Sequence, residues 1–214
     1  GWQRDCPNSR RPPAVVDVKY MSLTSGSTWN YELIDILPAI TTPFSINSTS
    51  NDSTINGKSY HVYSNNSGSG NEYYNITGNE YYNFRKLPLA LGGSSVENIY
   101  LKDNVAAGDS WSQSYPIMVS GIALNAALTN TITEKGISKT VKGVTYNNVI
   151  HVITTIAVSF SGVPLPASAL VTDIQSFYAP KFGMIQSINK INFNYSGISS
   201  NTNQQTNLNT ADIK

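Results

Sequence analysis

The sequence is poor in cysteine, in charge and in long apolar runs. Cys6 is the single cysteine among 214 residues, so no intramolecular disulfide can form. A chain of this length needs none, because it can bury roughly 70% of its unfolded surface around one core. Lys and Arg total 14, Asp and Glu total 13, and charged residues make up 13% of the chain. That is about half the ~25% usual in globular proteins. With a net charge of +1 there is no basic field to hold nucleic acid and no polybasic patch for a membrane surface. No apolar run approaches the roughly 18 residues of a membrane-spanning helix. The polarity comes from uncharged side chains: Asn alone occurs 24 times.

Catalytic patterns are missing as well. The chain has no Gly-x-Ser-x-Gly elbow, His-Glu-x-x-His helix, phosphate-binding loop or Cys-x-x-Cys pair. His61 and His151 are the only histidines. Each lies in a strand-like alternation, where a histidine is ordinarily a surface or rim residue. Glu72 and Glu80 stand among Asn residues, where a solvated carboxylate is the default. Asp103, Asn104 and Asp109 do not follow calcium-loop spacing. The sequence therefore predicts no enzyme, no metal and no cofactor.

What is present is a period of two. From Asn148 to Phe160, one parity carries Ile150, Val152, Ile156, Val158 and Phe160, the mark of a long, half-buried strand rich in β-branched residues. Trp29–Leu33 and Ile185–Tyr195 alternate likewise. Further strands are predicted at 59–63, 81–85, 97–101, 110–120, 129–134, 140–145 and 170–178. Asn56-Gly57 is a hairpin signal, with Lys135-Gly136 and Lys142-Gly143 weaker ones. Leu37–Asn56, with two Pro and many Ser and Thr, reads as a long excursion. Ile122–Leu128 is the one helix-compatible stretch. About ten strands in hairpin succession cannot lie flat, because a twisted sheet that wide curls or splits. The fold class is mainly β: a single strongly curved antiparallel sheet, or alternatively a two-sheet sandwich.

Three regions are delimited. Residues 1–20 read as an N-terminal tether from a lipid anchor lying upstream, 21–198 as the curved β domain, and 199–214 as a polar C-terminal tail. Tyrosine is the enriched residue, with 13 copies, and Tyr60, Tyr63, Tyr73, Tyr74, Tyr81 and Tyr82 crowd one stretch. Such a cluster serves either a binding face or an ordinary strand surface.

Several ordered motifs resemble a group of secreted lipoproteins of Bacteroidetes-type bacteria. They are Leu23, Gly26, Trp29 and Tyr31 at a strand opening; Gly57-Lys58-Ser59-Tyr60-His61-Val62; Gly78-Asn79-Glu80-Tyr81-Tyr82-Asn83-Phe84-Arg85; Tyr100–Asn104 leading to Gly108–Trp111; Asn148–Val152; and Tyr178-Ala179-Pro180 with Gly183-Met184-Ile185. The resemblance implies a half-barrel like that of the lipoprotein carriers LolA and LolB, whose concave face holds acyl chains under covering helices. It also implies an exported protein, periplasm-facing or surface-exposed on the outer membrane. No convincing lid helix is evident here, so Leu37–Asn56 and Val119–Thr129 would have to cover the sheet.

The expected function is binding of an apolar or amphiphilic ligand, a lipid or amphiphile, on the concave face by Ile150, Val152, Ile156, Val158, Phe160 and Tyr31. The alternative is a surface module that binds glycan or protein through exposed tyrosines. Gly26, Trp29, Trp111, Pro180 and Gly183 are expected to anchor the fold: glycines where a turn needs positive φ, tryptophans where a strand enters the core. Contact with a membrane is expected only through the upstream anchor. Asp52-Ser53-Thr54 resembles a short O-glycosylation site of exported proteins, within the segment read as an exposed loop.

Overall fold

The computed structural model describes residues 18–214. Cys6 and all but the last three residues of the expected tether lie outside the described residues. Thirteen strands follow one another: β1 (Thr28–Ile36), β2 (Ala39–Ile55), β3 (Lys58–Asn65), β4 (Glu72–Thr77), β5 (Glu80–Lys86), β6 (Ser95–Lys102), β7 (Ser110–Val119), β8 (Ile122–Val141), β9 (Val144–Phe160), β10 (Val163–Pro164), β11 (Leu170–Ala179), β12 (Gly183–Tyr195) and β13 (Ile198–Asp212). Two short 3-10 turns, Leu89–Leu91 and Ala167–Ala169, are the helical elements among the described residues.

All the strands belong to one antiparallel sheet in the order β6-β5-β4-β3-β2-β1-β13-β12-β11-β9-β8-β7, with β10 beside β9. Spatial neighbours are sequence neighbours, except that the first strand pairs with the last, Thr28 opposite Asp212. The result is an up-and-down meander curved into a nearly closed barrel. It goes further round than the expected half-barrel, and the sandwich alternative does not occur. Hairpins at Asn56-Gly57, Ser120-Gly121, Lys142-Gly143, Ser161-Gly162 and Ser196-Gly197 carry positive φ at both residues, the backbone of turns that match strand twist.

β6 and β7, the two edges, share no backbone ladder, yet side chains close the seam between them. The Ile99 N–H donates to Gln113 Oε1 at 2.6 Å, and Trp111 Nε1 donates to the Ile99 carbonyl at 2.8 Å. Tyr115 Oη donates to the Glu97 carbonyl at 2.6 Å. Unpaired edges invite other chains to add strands; here the groups of one edge are taken by side chains of the other.

Three sequence readings are corrected. The excursion Leu37–Asn56 is mostly β2, a strand of 17 residues. Its Pro43 pairs with Glu32 of β1, where β3 has not yet joined the other side, so the missing N–H costs no ladder bond. Ser53 therefore lies in a strand, opposite Tyr60. The helix-compatible Ile122–Leu128 opens β8. The polar tail beyond residue 198 is β13, which closes the barrel between β1 and β12. Its amide side chains bond across strands: Asn207 to Glu32 at 3.1 Å, and Gln186 to Asn207 at 2.8 Å.

The ends of the barrel are covered unequally. At the end where β1 begins, Tyr20, Met21 and Leu23 pack against the core clusters around Trp29 and Tyr81. At the opposite end Leu87, Ala90 and Leu91 of the β5–β6 connection are buried against Ile117, Leu124 and Phe193, covering the β7–β9 side and the end of β12. The long β8–β9 hairpin bends back across β11–β13, and Lys142 at its tip reaches Glu32 of β1 at 3.2 Å.

Candidate functional site

The part of the barrel not filled by its own side chains lies between β1, β2, β4 and β5 on one side and β11–β13 on the other. Alternation along β1 turns Tyr31 and Leu33 inward. Phe44 of β2 faces Tyr31 in register and stacks on it with ring centroids 5.3 Å apart. With Trp29, Ile46 and Met184 they form the apolar wall of a cavity of about 460 Å³, within the ~300–1,000 Å³ range of small-molecule sites. An adjoining space of about 520 Å³ opens between the β3–β4 loop and β5. A third of about 60 Å³ runs deeper, toward Leu128 and Ile156.

Polar groups mark where the spaces meet. Glu72, Tyr74, Asn83 and Arg85 border both larger spaces, and Arg85 also borders the small one. Glu72 is not the solvated carboxylate expected. It accepts from Tyr74 Oη at 2.8 Å and from Asn65 Nδ2 at 3.0 Å. Burial raises its pKa, against the opposing pull of those two bonds and of the Arg85 guanidinium. The Arg85 side chain is exposed and, among the described residues, makes no hydrogen bond or ion pair. Asn98 donates to Asn83 Oδ1 at 3.3 Å, but its own Oδ1 is buried without a partner beside the small space.

Of the six residues expected to bind ligand, Tyr31 lines the main cavity and Ile156 the small space. Ile150 and Val152 are fully buried in the cluster with Tyr100 and Tyr178, and Val158 in the cluster with Leu124. Phe160 is 45% exposed at the end of β9. One parity of a 17-residue strand thus spans three environments, and the six are not gathered in one place. Arg85, Glu72 and Phe44 were not singled out by sequence reasoning as site residues. The alternation of Phe84 and Arg85 on β5 points the guanidinium outward by the usual reading, so the sequence carried no signal for Arg85 at the cavity.

The expected anchors are placed in the fold. Trp29 is 1% exposed and donates from Nε1 to the Phe182 carbonyl at 2.8 Å. Trp111 is a seam residue. Gly26 has φ 87° and its N–H donates to the Ser48 carbonyl at 2.9 Å. Pro180 opens the β11–β12 turn, whose Lys181 N–H donates to the Lys19 carbonyl at 2.7 Å. A Cβ on Gly183, at φ 70°, would lie 2.8 Å from Met21 Sδ.

No tyrosine of the described residues is exposed, so the expected row of exposed tyrosines is absent from them. The rings instead form a buried network. Tyr74 meets Tyr63 at 5.1 Å and Tyr100 at 5.8 Å, and Tyr100 meets Tyr178 at 5.5 Å. Burial raises the pKa of Tyr31, Tyr63 and Tyr74, so the phenols stay neutral donors: Tyr31 to the Met184 carbonyl and Tyr63 to the Ser22 carbonyl, each at 2.6 Å.

One constellation has the connectivity of a nucleophile, base and acid. Ser48 Oγ lies 2.7 Å from His61 Nε2, and His61 Nδ1 lies 2.8 Å from Asp52 Oδ1. Its surroundings are structural. Ser48 is 4% exposed, its N–H and carbonyl are spent on Ser27 and Gly26, and none of the three residues borders a cavity described above. A triad needs a reacting atom and oxyanion donors within reach of the hydroxyl. The β2–β3 register breaks between Ser48 and Asp52, and His61 ties the two sides of the break together. His151 works similarly between Glu134 and Gln175 while stacking on Phe177.

No helix of the described residues is long and apolar enough to cross a membrane. The outer faces of β7 and β8 carry bonded hydroxyl pairs, Ser110 with Thr131 and Ser112 with Thr129, each at 2.7 Å. That is the reverse of a membrane barrel, which is apolar outside.

No family model and no curated protein matches the chain. Solved structures do. The crystal structure of a candidate lipoprotein from Parabacteroides distasonis is similar with a TM-score of 0.53 at 14% identity, over 91% of this chain and 99% of that one. A candidate exported protein with a YmcC-like fold from Bacteroides fragilis aligns over 88% of this chain and 96% of that one, at 8% identity and a TM-score of 0.49. The likeness is one of fold. The nearly closed antiparallel sheet agrees with the fold expected from the motif resemblance, one like that of LolA and LolB.

Proposed function

We propose that this is an exported, cell-envelope lipoprotein that binds an apolar or amphiphilic molecule inside its barrel and catalyses no reaction on it. The observation that carries the reading is the cavity of about 460 Å³ walled by Trp29, Tyr31, Leu33, Phe44, Ile46 and Met184. Eight strands already leave an interior that side chains can just fill, and more strands leave a wider one. The twelve strands of this path fill theirs beside β7–β9 and leave a space between β1–β5 and β11–β13. Leu37, Ile40, Leu89, Met118, Phe160 and Val163 are exposed on strand ends and connections at the end of the barrel that carries the β1–β2 and β3–β4 loops. Apolar side chains there suit a ligand handed over from an apolar phase. The export and anchoring parts of the reading rest on the fold and the motif resemblance.

A fluorescent fatty-acid analogue tests it. Saturable micromolar binding, competed by unlabelled lipid and weakened at least tenfold by Leu33→Glu with an unchanged far-UV spectrum, is the expected result. If Leu33→Glu unfolds the protein, Phe44→Gln replaces it. Absence of saturable binding to the parent protein overturns the reading.

A further inference from the structure

The cavity has an apolar wall at one side and a cation at the other. Arg85 borders all three spaces. A guanidinium offers five donors in a planar fork matched to carboxylate and phosphate oxygens, and none of them is used within the described residues. The one carboxylate on these walls, Glu72, already accepts from Tyr74 and Asn65. It forms no ion pair with Arg85, and Lys86 adds a second cation to the wall of the outer space. The polar side of the cavity is therefore cationic, although the chain as a whole is nearly neutral. Beside Arg85, the unpartnered Oδ1 of Asn98 faces the small space. A water carried in by an anionic head, which itself only accepts, would supply the missing donor.

We infer that the ligand is an anionic single-chain amphiphile, its carboxylate or phosphate head held by Arg85 and its tail lying along Leu33, Phe44, Ile46 and Tyr31. This deepens the proposed function and rests on it. Charge and shape are complementary in the same direction: the tail runs from the cation toward the apolar wall, and a neutral head would leave the guanidinium unpaired.

Four probes separate the alternatives by isothermal titration: palmitate, a lysophosphatidylglycerol, a neutral monoacylglycerol and inorganic phosphate alone. The two anionic amphiphiles are expected to bind at least tenfold more tightly than the neutral one, and inorganic phosphate much more weakly than either. Whichever anionic head binds better identifies it as carboxylate or phosphate. Arg85→Gln should bring the anionic amphiphiles down to the affinity of the neutral one and leave that affinity unchanged, with an unaltered melting temperature. If Arg85→Gln melts early, Arg85→Lys and a salt titration of the parent take its place; added salt should then weaken the anionic probes alone. Equal binding of anionic and neutral amphiphiles overturns the role of Arg85 while leaving the proposed function standing. Binding of phosphate as tight as that of the amphiphiles overturns the tail assignment. No binding of any amphiphile overturns both.

Discussion

Closing the barrel with side chains instead of a ladder makes its stability depend on a few named atoms. Gln113→Leu keeps an apolar stem as far as Cδ but removes the acceptor of the Ile99 N–H, now 2.6 Å away. A part-buried donor left without its partner costs about 1–3 kcal/mol. Tyr115→Phe removes the bond to the Glu97 carbonyl at a net cost of about 0.5–1.5 kcal/mol. Trp111→Phe should be gentler at the Ile99 carbonyl, because Asn130 Nδ2 also donates there at 3.4 Å. Independent losses from Gln113→Leu and Tyr115→Phe would add to about 1.5–4.5 kcal/mol, a large share of the ~5–15 kcal/mol that holds a typical domain. Both residues lie on β7 and face β6, so the double variant should lose less than the sum if the seam opens cooperatively, because one lost bond already opens what the other would break. Urea unfolding gives the stabilities, and hydrogen exchange at the Ile99 amide reports the seam directly. If both single variants stay within about 0.5 kcal/mol of the parent and the Ile99 amide remains as protected as before, the side chains do not hold the seam.

The remaining predictions concern the core and the buried carboxyl. Trp29→Ala should destabilise by about 3–5 kcal/mol and lower the melting temperature, whereas Trp29→Phe should lose less, mainly the bond to the Phe182 carbonyl; a Trp29→Ala protein that melts like the parent would falsify the anchor assignment. The Glu72 carboxyl has a raised pKa in the folded state, chiefly through burial, so folding favours its proton. Its contribution is fully present below the ordinary carboxyl value and is lost as pH rises through the folded value. Glu72→Gln should therefore gain stability relative to the parent as pH rises from about 4.5 toward neutrality. Parallel urea midpoints for the two proteins from pH 4 to 8 would show that the carboxyl is not desolvated.

Most of the fold is legible in the period of two, and the departures have a common cause. Alternation is visible where the inner face is packed apolar, as at Ile150, Val152 and Val158 of β9. It fades where a strand lines the open part of the barrel. β13 presents Gln204 and Thr206 to the cavity and amides to its neighbours, so its polar sequence resembles a frayed tail although Leu208 is fully buried. β2 combines Thr41, Thr42 and Pro43 beside a stretch not yet paired on one side, and reads as a loop. Short-range turn chemistry carried well at Asn56-Gly57 and Lys142-Gly143. Lys135-Gly136 instead lies within β8, where the register with β9 shifts, because a positive-φ glycine serves a bulge as readily as a turn.

The candidate site was hidden by the same circumstance. A ligand cavity in a barrel exists where inward side chains fail to meet, and that depends on strand number and closure, neither of which periodicity measures. Ile150 and Tyr31 carry the same inward signature in sequence, yet Ile150 packs fully among Tyr100, Trp111 and Tyr178 and Tyr31 faces the open space. What separates them is the seam. Because the chain restarts at β7 after β6, its two halves meet at β1 and β13, far from the segment that fills the lumen. The connection from β5 to β6 can therefore cover β7–β9 but leaves β1–β5 uncovered. Arg85 stands at the end of β5, where the filled and open regions adjoin. A cation at that boundary has apolar space on one side and solvent on the other. An amphiphile with an anionic head requires the same arrangement, and the low charge of the rest of the molecule leaves Arg85 little competition for it.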